Sequence, residues 1–207
     1  MRLFDVYYFY PMNFLAHAHL SGNDNDLMFG NFIADAVKGN AATRYKDQIL
    51  KGIVLHREID RFTDNHPVHT ESRRLIREDF GKFAGIVVDI FYDHYLAKDW
   101  ERYADVPLTQ FVSHVYKQLT MRFFLLPDKT KRLLPFMISG NWLLNYGRME
   151  GLERVFHGMD RRTGYLSGMQ HATAVLLKHY ESLQSHFDVF YPHLIAYVEQ
   201  EMESLKK

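Results

Sequence analysis

The sequence predicts an all-α protein, a single-domain bundle of many helices. Apolar residues recur at three- and four-residue spacing almost throughout the 207 residues, few Val/Ile/Thr alternations announce strands, and only 6 prolines interrupt the pattern. The length suits one well-filled domain. Hydrophobic residues at 47% and charged residues at 24% exclude a disordered or low-complexity chain. No repeat of fixed period and no linker divides it.

Each helix has a chemical reason to begin or stop. The first spans residues 13–20. Gly22-Asn23-Asp24 supplies a turn and an Asx-type cap for a second over 25–38, which Gly39-Asn40 closes. A third over 45–65 ends at Asn65-His66-Pro67, where Pro67 opens a fourth over 68–79. The fifth, 82–98, is apolar nearly all round, as expected at the centre of a bundle. Val106-Pro107 and Pro127-Asp128 precede helices over 108–125 and 130–145. Residues 148–159 form the next, and the polar run Gly164 to Gly168 separates it from helices over 169–184 and 187–205.

Residues 1–11 carry one early Arg and an aromatic run, and Ala16-His17-Ala18 has the small-x-small form of a leader cleavage site. Asp5, Pro11 and the tyrosines argue against a leader, so the expectation is an N-terminal extension ahead of a natural start at Met12. No stretch reaches the roughly 18 apolar residues of a membrane span; the best, Phe83 to Leu96, contains Asp89, Asp93 and His94.

Lys plus Arg (25) equals Asp plus Glu (25), so no global field favours nucleic acid or an anionic membrane. The absence of Cys removes thiol nucleophiles, iron–sulfur clusters and cysteine zinc sites, and fits a cytoplasmic protein. Metal chemistry then falls to Asp, Glu and the 12 His. Serine elbows, phosphate loops, dinucleotide turns and His-Glu-x-x-His helices are missing.

The strongest constellation is Leu55-His56-Arg57-Glu58-Ile59-Asp60-Arg61-Phe62-Thr63-Asp64. On a helix His56, Asp60 and Asp64 share one side, so an imidazole and a carboxylate one turn apart can share a metal ion; an exposed charged face with i,i+4 pairing is the alternative. Asp35 lies one turn beyond Asn31 on a mostly apolar stripe, where an ionised group needs a metal, an arginine or a helix N-terminus. Asp89 and Asp93 are one turn apart on the central helix, beside His94, which can serve a site or bond within the core. Of His17 and His19, which point about 200° apart on a helix of 100° per residue, His17 is the candidate. Acids and imidazoles from several helices suit a divalent ion such as Mn²⁺ or Mg²⁺ that activates water.

Taken together, Met12-Asn13-Phe14-Leu15-Ala16-His17, Gly30-Asn31-Phe32-Ile33-Ala34-Asp35, the segment Gly52 to Asp64, and Tyr92-Asp93-His94 resemble the acyl carrier protein phosphodiesterase family, from Met12 to Phe187–Pro192 near the end. The resemblance implies hydrolysis of the phosphodiester that joins 4′-phosphopantetheine to a serine of holo acyl carrier protein, with Mn²⁺ favoured. The mechanistic expectation is that Asp35, His56 and Asp60 hold the metal and that Asp93, His94 or His17 completes or orients the shell. Arg57 or Arg61 then contacts the phosphate, while Arg73, Arg74 and Arg77 steer an acidic carrier; solvated ion pairs are the alternative for all five. A more distant resemblance is to HD-type metal phosphohydrolases, although this chain has His56-Arg57 and a reversed Asp93-His94 in place of the His-Asp pair. Two rival readings stay open: a helical phosphohydrolase for a nucleotide or small phosphodiester, and a non-catalytic binding protein.

Overall fold

Burial of the apolar stripes, and not local propensity, sets the architecture of the computed structural model, which describes residues 13–205. The expectation for residues 1–11 lies outside the described residues. Among those described there are helices and no strands, packed around a single apolar core.

Helix α1 (Phe14–Leu20) is buried on nearly every side, and its own N-cap residue, Asn13, makes no side-chain cap. Asp93 caps it from a distance, accepting from Leu15 N at 3.0 Å and Ala16 N at 2.9 Å. A carboxylate there satisfies two orphan donors and meets the positive end of the helix dipole. Asp24 performs the same service locally for α2 (Asn25–Ile33), accepting from Asp26 N and Leu27 N.

Helix α3 (Asp47–Asn65) crosses α2 at its closest where two glycines meet. A Cβ on Gly30 would lie 2.0 Å from Ile49 O, and one on Gly52 would lie 2.1 Å from Leu27 O. Only hydrogens fit between the backbones at that point. The expected second helix ends early, at Ile33, and tightens into a 3₁₀ turn, Ala34–Ala36, that carries Asp35.

His66 closes α3 and caps α4 (Pro67–Leu75), whose first turn accommodates Pro67 because a helix leaves its first N–H groups unpaired. The fourth expected helix breaks at Ile76 into a short α5 (Arg77–Phe80), and Gly81 turns the chain at φ 52°. Helix α6 (Ala84–Lys98) is buried over most of its surface and occupies the centre, as the sequence predicts.

Helices α7 (Leu108–Met121), α8 (Asp128–Ser139), α9 (Trp142–Asn145), α10 (Met149–Arg162) and α11 (Ala172–Lys178) follow. The expected helix over 130–145 is divided at Asn141, which adopts a left-handed φ of 43°. Helix α12 (Tyr180–Leu205) starts earlier than predicted and runs through Pro192. An interior proline costs about 3 kcal/mol, whereas each large apolar side chain buried returns about 1.5–3 kcal/mol. Phe187, Phe190, Tyr191 and Leu194 are all buried around it, so packing wins. No helix among the described residues is long and apolar enough to cross a membrane.

Candidate metal centre and adjoining cleft

The glycine crossing brings the polar residues of α2 and α3 together under α1. His56 and Asp60 are one turn apart on α3, with His56 Nε2 3.2 Å from Asp60 Oδ2. His17 comes from α1, and its Nε2 stands 3.4 Å from Asp60 Oδ1. The two imidazole rings stack with centroids 4.0 Å apart and planes 24° from parallel. Asp35 reaches His56 Nε2 at 3.2 Å from the turn after α2.

Asn31 orients both rings. Its Oδ1 lies 2.7 Å from His17 Nδ1 and 3.1 Å from His56 Nδ1, and an amide oxygen can accept both bonds. The amide cannot flip without loss, because its Nδ2 donates to His17 O at 2.9 Å and to Ser21 Oγ at 3.0 Å. Ser21 in turn donates to His17 O. With each Nδ1 donating to Asn31, each Nε2 offers a lone pair toward Asp60.

Lone pairs facing carboxylates demand a cation between them, either a proton or a metal ion. Where the cation is a proton, it resides on His56. Burial opposes the charged ring, but hydrogen bonds to Asp35 and Asp60 overcome it and push the His56 pKa up to about 10. Burial likewise opposes the Asp60 carboxylate, and the adjacent imidazoles of His17 and His56 hold it well below the usual carboxylate range. His17 Nε2 is buried and makes no well-aligned hydrogen bond; its charged neighbour is Asp60 Oδ1 at 3.4 Å. That orphaned nitrogen, with His56 and Asp60, forms a group whose ligand atoms lie within 4.8 Å of one another, the shape of a divalent metal site. Asp35 flanks this triad at His56 and is placed to orient a ligating imidazole or to add an oxygen.

Asp60 also opens onto a cleft of about 630 Å³. Arg73, Arg74, Arg77 and Lys82 line it, along with Asp64, His69 and Asp89. Arg73 is pinned to the end of α3 by bonds to Asp64 Oδ1 and Asp64 O at 3.3 and 2.9 Å, and within α4 it donates to Thr70 Oγ1 at 3.1 Å. Arg74 pairs with Glu71 at 3.4 Å on an exposed face.

The structure places the remaining candidates apart from this group. Asp93 is fully buried and committed to the amides of α1, so it belongs to the scaffold and not to the metal group. His94 is occupied on both nitrogens, by Tyr146 O at 2.8 Å and Tyr180 Oη at 2.9 Å, and burial lowers its pKa. It is the satisfied core histidine that its apolar helix face allowed. Arg61 binds Glu58 and Tyr197 away from the cleft. Arg57 is exposed and likewise lines no part of it.

Spacing did not reveal the role of Asn31 or the pairing of His69 with Asp89. Asn31 is neutral and gives no charge signal, though its place beside Gly30, a residue that permits a close crossing, was a usable hint. His69 and Asp89 lie on different helices, 20 residues apart, and only the fold places His69 Nε2 3.0 Å from Asp89 Oδ1.

Comparison with known proteins identifies the family. The sequence pattern of the acyl carrier protein phosphodiesterase family matches residues 12–194. Proteins named acyl carrier protein phosphodiesterase from Salmonella agona (strain SL483) and Salmonella newport (strain SL254) are each 35% identical over 189 residues. The one from Salmonella paratyphi A (strain ATCC 9150 / SARB42) is 35% identical over 186 residues. Each alignment covers 89% of this chain and 96% of the relative. No solved structure matches the chain. The matched range runs from α1 through most of α12, and the positions of the metal-shaped group and its basic cleft fall within it: the chain belongs to the acyl carrier protein phosphodiesterase family.

Proposed function

We propose that the protein hydrolyses the phosphodiester between 4′-phosphopantetheine and the serine of holo acyl carrier protein, giving apo carrier and free 4′-phosphopantetheine. One observation carries this reading beyond family membership. The cleft that reaches Asp60 of the metal-shaped triad is also walled by Arg73, Arg74, Arg77 and Lys82. A phosphodiester needs cationic stabilisation of its oxygens, and a small acidic carrier needs a basic approach, so one cleft meets both needs.

His17, His56 and Asp60 would hold the ion, with Asp35 beside them. Two imidazoles and a carboxylate suit Mn²⁺, with Mg²⁺ the harder and less nitrogen-tolerant alternative. When bound, a divalent ion supplies charge neutralisation at the phosphoryl oxygens and a water of lowered pKa. Arg73, fixed by its bonds to Asp64, presents a charge of defined position; Arg74 and Arg77 are exposed and fit an earlier role, drawing the carrier in. The proposal places the protein in the cytoplasm, a setting that the absence of Cys fits.

The test is incubation of purified protein with holo carrier, with and without Mn²⁺, followed by intact-mass measurement of the carrier. Conversion to the apo mass with metal present supports the proposal. An unchanged holo carrier at stoichiometric enzyme with Mn²⁺ rejects it. Turnover of a small phosphodiester with no turnover of holo carrier moves the assignment to a small-molecule phosphohydrolase.

A further inference from the structure

Besides Asp60, the cleft holds a second carboxylate backed by an imidazole. Asp89 stands on α6 and His69 on α4, both lining the cleft. The side chain of Asp89 is 15% exposed and that of His69 only 2%. The usual order of an Asp–His pair is therefore reversed: the imidazole is inside, and the carboxylate is the member a bound substrate can touch.

His69 is fixed in that position. Its ring packs edge-on to Tyr92 at 5.7 Å and lies 5.8 Å from Phe190. Its Nδ1 is buried with no hydrogen-bond partner. The acceptor stands at the other nitrogen, so Nε2 is the donor and gives its N–H to Asp89 Oδ1 at 3.0 Å. An acid on a helix as buried as α6 is kept against a desolvation cost, and the bond from His69 fixes that carboxyl group at the cleft wall.

We propose that Asp89 is the general base of the hydrolysis and that His69 is its positioning residue. This rests on the reading of the protein as a phosphodiesterase. The attacking water forms a bond to phosphorus and gives a proton to the Asp89 carboxylate, while the bond from phosphorus to the seryl oxygen breaks. The seryl oxygen takes a proton from the solvent of the open cleft, and Asp89 later returns its proton to that solvent. Asp89 stands outside the group formed by His17, His56 and Asp60. As an anion among phosphate-binding cations it cannot hold the phosphoryl oxygens; the partner it can accept from is a proton donor, and the reaction requires one such donor, water.

The experiment measures kcat, KM, bound Mn²⁺ and the pH profile of arm release from holo carrier. Asp89→Asn is expected to lower kcat by about 10²- to 10⁴-fold, with KM and metal content unchanged and the acidic limb of the profile lost. His69→Gln retains an N–H donor for Asp89 and keeps most of the activity, whereas His69→Phe does not. Other groups facing this cleft are Asp60 and Asp64 from α3, Arg73 and Arg74 from α4, Arg77 from α5, Lys82 before α6, and Tyr92 beside His69, so the limb is assigned by its loss in Asp89→Asn alone. A kcat within about threefold of wild type, an unchanged acidic limb, or a rise confined to KM overturns the proposal. If Asp89→Asn fails to fold, equal activity of His69→Gln and His69→Phe overturns it. A wild-type protein that releases no arm refutes the phosphodiesterase reading itself, an outcome distinct from an active wild type matched by an active Asp89→Asn.

Discussion

One amide oxygen, Asn31 Oδ1, sits 2.7 Å from His17 Nδ1 and 3.1 Å from His56 Nδ1, and so sets the direction of both imidazoles that face Asp60. A single neutral side chain on α2 thereby aligns ligands from α1 and α3. Replacing it with Leu, of similar size but with no acceptor, frees both rings to change tautomer. Titration calorimetry should show Mn²⁺ affinity falling by about 10- to 100-fold, while the far-ultraviolet circular dichroism stays helical.

The α2–α3 crossing has no room for a methyl group. Gly52→Ala would place Cβ 2.1 Å from Leu27 O and 2.8 Å from Asn31 N, which forces the helices apart. Urea denaturation should register a loss of about 3 kcal/mol or more, at the upper end of overpacking costs, with metal affinity lost alongside. Gly158→Ala is the control: nothing lies within 4 Å of its Cβ position on α10, and the change should be neutral or stabilising by up to about 1 kcal/mol.

The metal-free protein should lose stability as pH rises above neutrality. Native His56 keeps its proton up to about pH 10, whereas the ordinary value is 6.5, so between these the native state binds the extra proton. Unfolding stability then falls with pH in that window, with a slope approaching about 1.4 kcal/mol per pH unit, and the contribution is fully present only below 6.5. Asp60 has the opposite sign: its contribution exists above the unfolded carboxylate value and disappears as acid protonates it. Urea melts of chelator-treated protein from pH 6 to 11 check the first window, and His56→Gln should flatten it. Mn²⁺ must displace the same proton, so calorimetry in buffers of different ionisation enthalpy should report proton release at pH 8.

Charge reversal at Arg74 and Arg77 should raise KM for holo carrier by about tenfold with little change in kcat, since both are exposed and line the cleft without belonging to the metal-shaped triad. Steady-state kinetics at two salt concentrations provides the check: the wild-type KM rises with salt, and the doubly reversed protein loses that dependence.

Asp93→Ala leaves two amides of α1 without acceptors inside the core. A stability loss of about 2 kcal/mol is expected in denaturant melts. Mn²⁺ affinity of the folded fraction should remain near wild type, which separates this scaffold acid from Asp60.

How far the molecule was legible depends on whether a signal travels along one helix. The all-helical fold, the central place of α6 and the His56–Asp60 pair are consequences of spacing, because residues three and four apart share a face whatever surrounds them. The role of Asp93 was not legible, since a carboxylate beside a histidine on a buried helix suits a metal shell and a distant helix cap equally well. The same limit applied to His94, whose partners Tyr146 and Tyr180 lie far along the chain.

The order of side chains along this chain by itself determined that the protein is helical, that Asp and His are its candidate metal-binding groups, and which family it belongs to. Only the tertiary structure decided which of those groups meet. Two glycines let α2 and α3 touch, Asn31 turned two imidazoles toward Asp60, and α4 and α6 set His69 behind Asp89. The physical reason is that periodicity specifies the face on which a residue lies, whereas a site between helices depends on the distance and crossing of backbones, which the packing of the whole core sets.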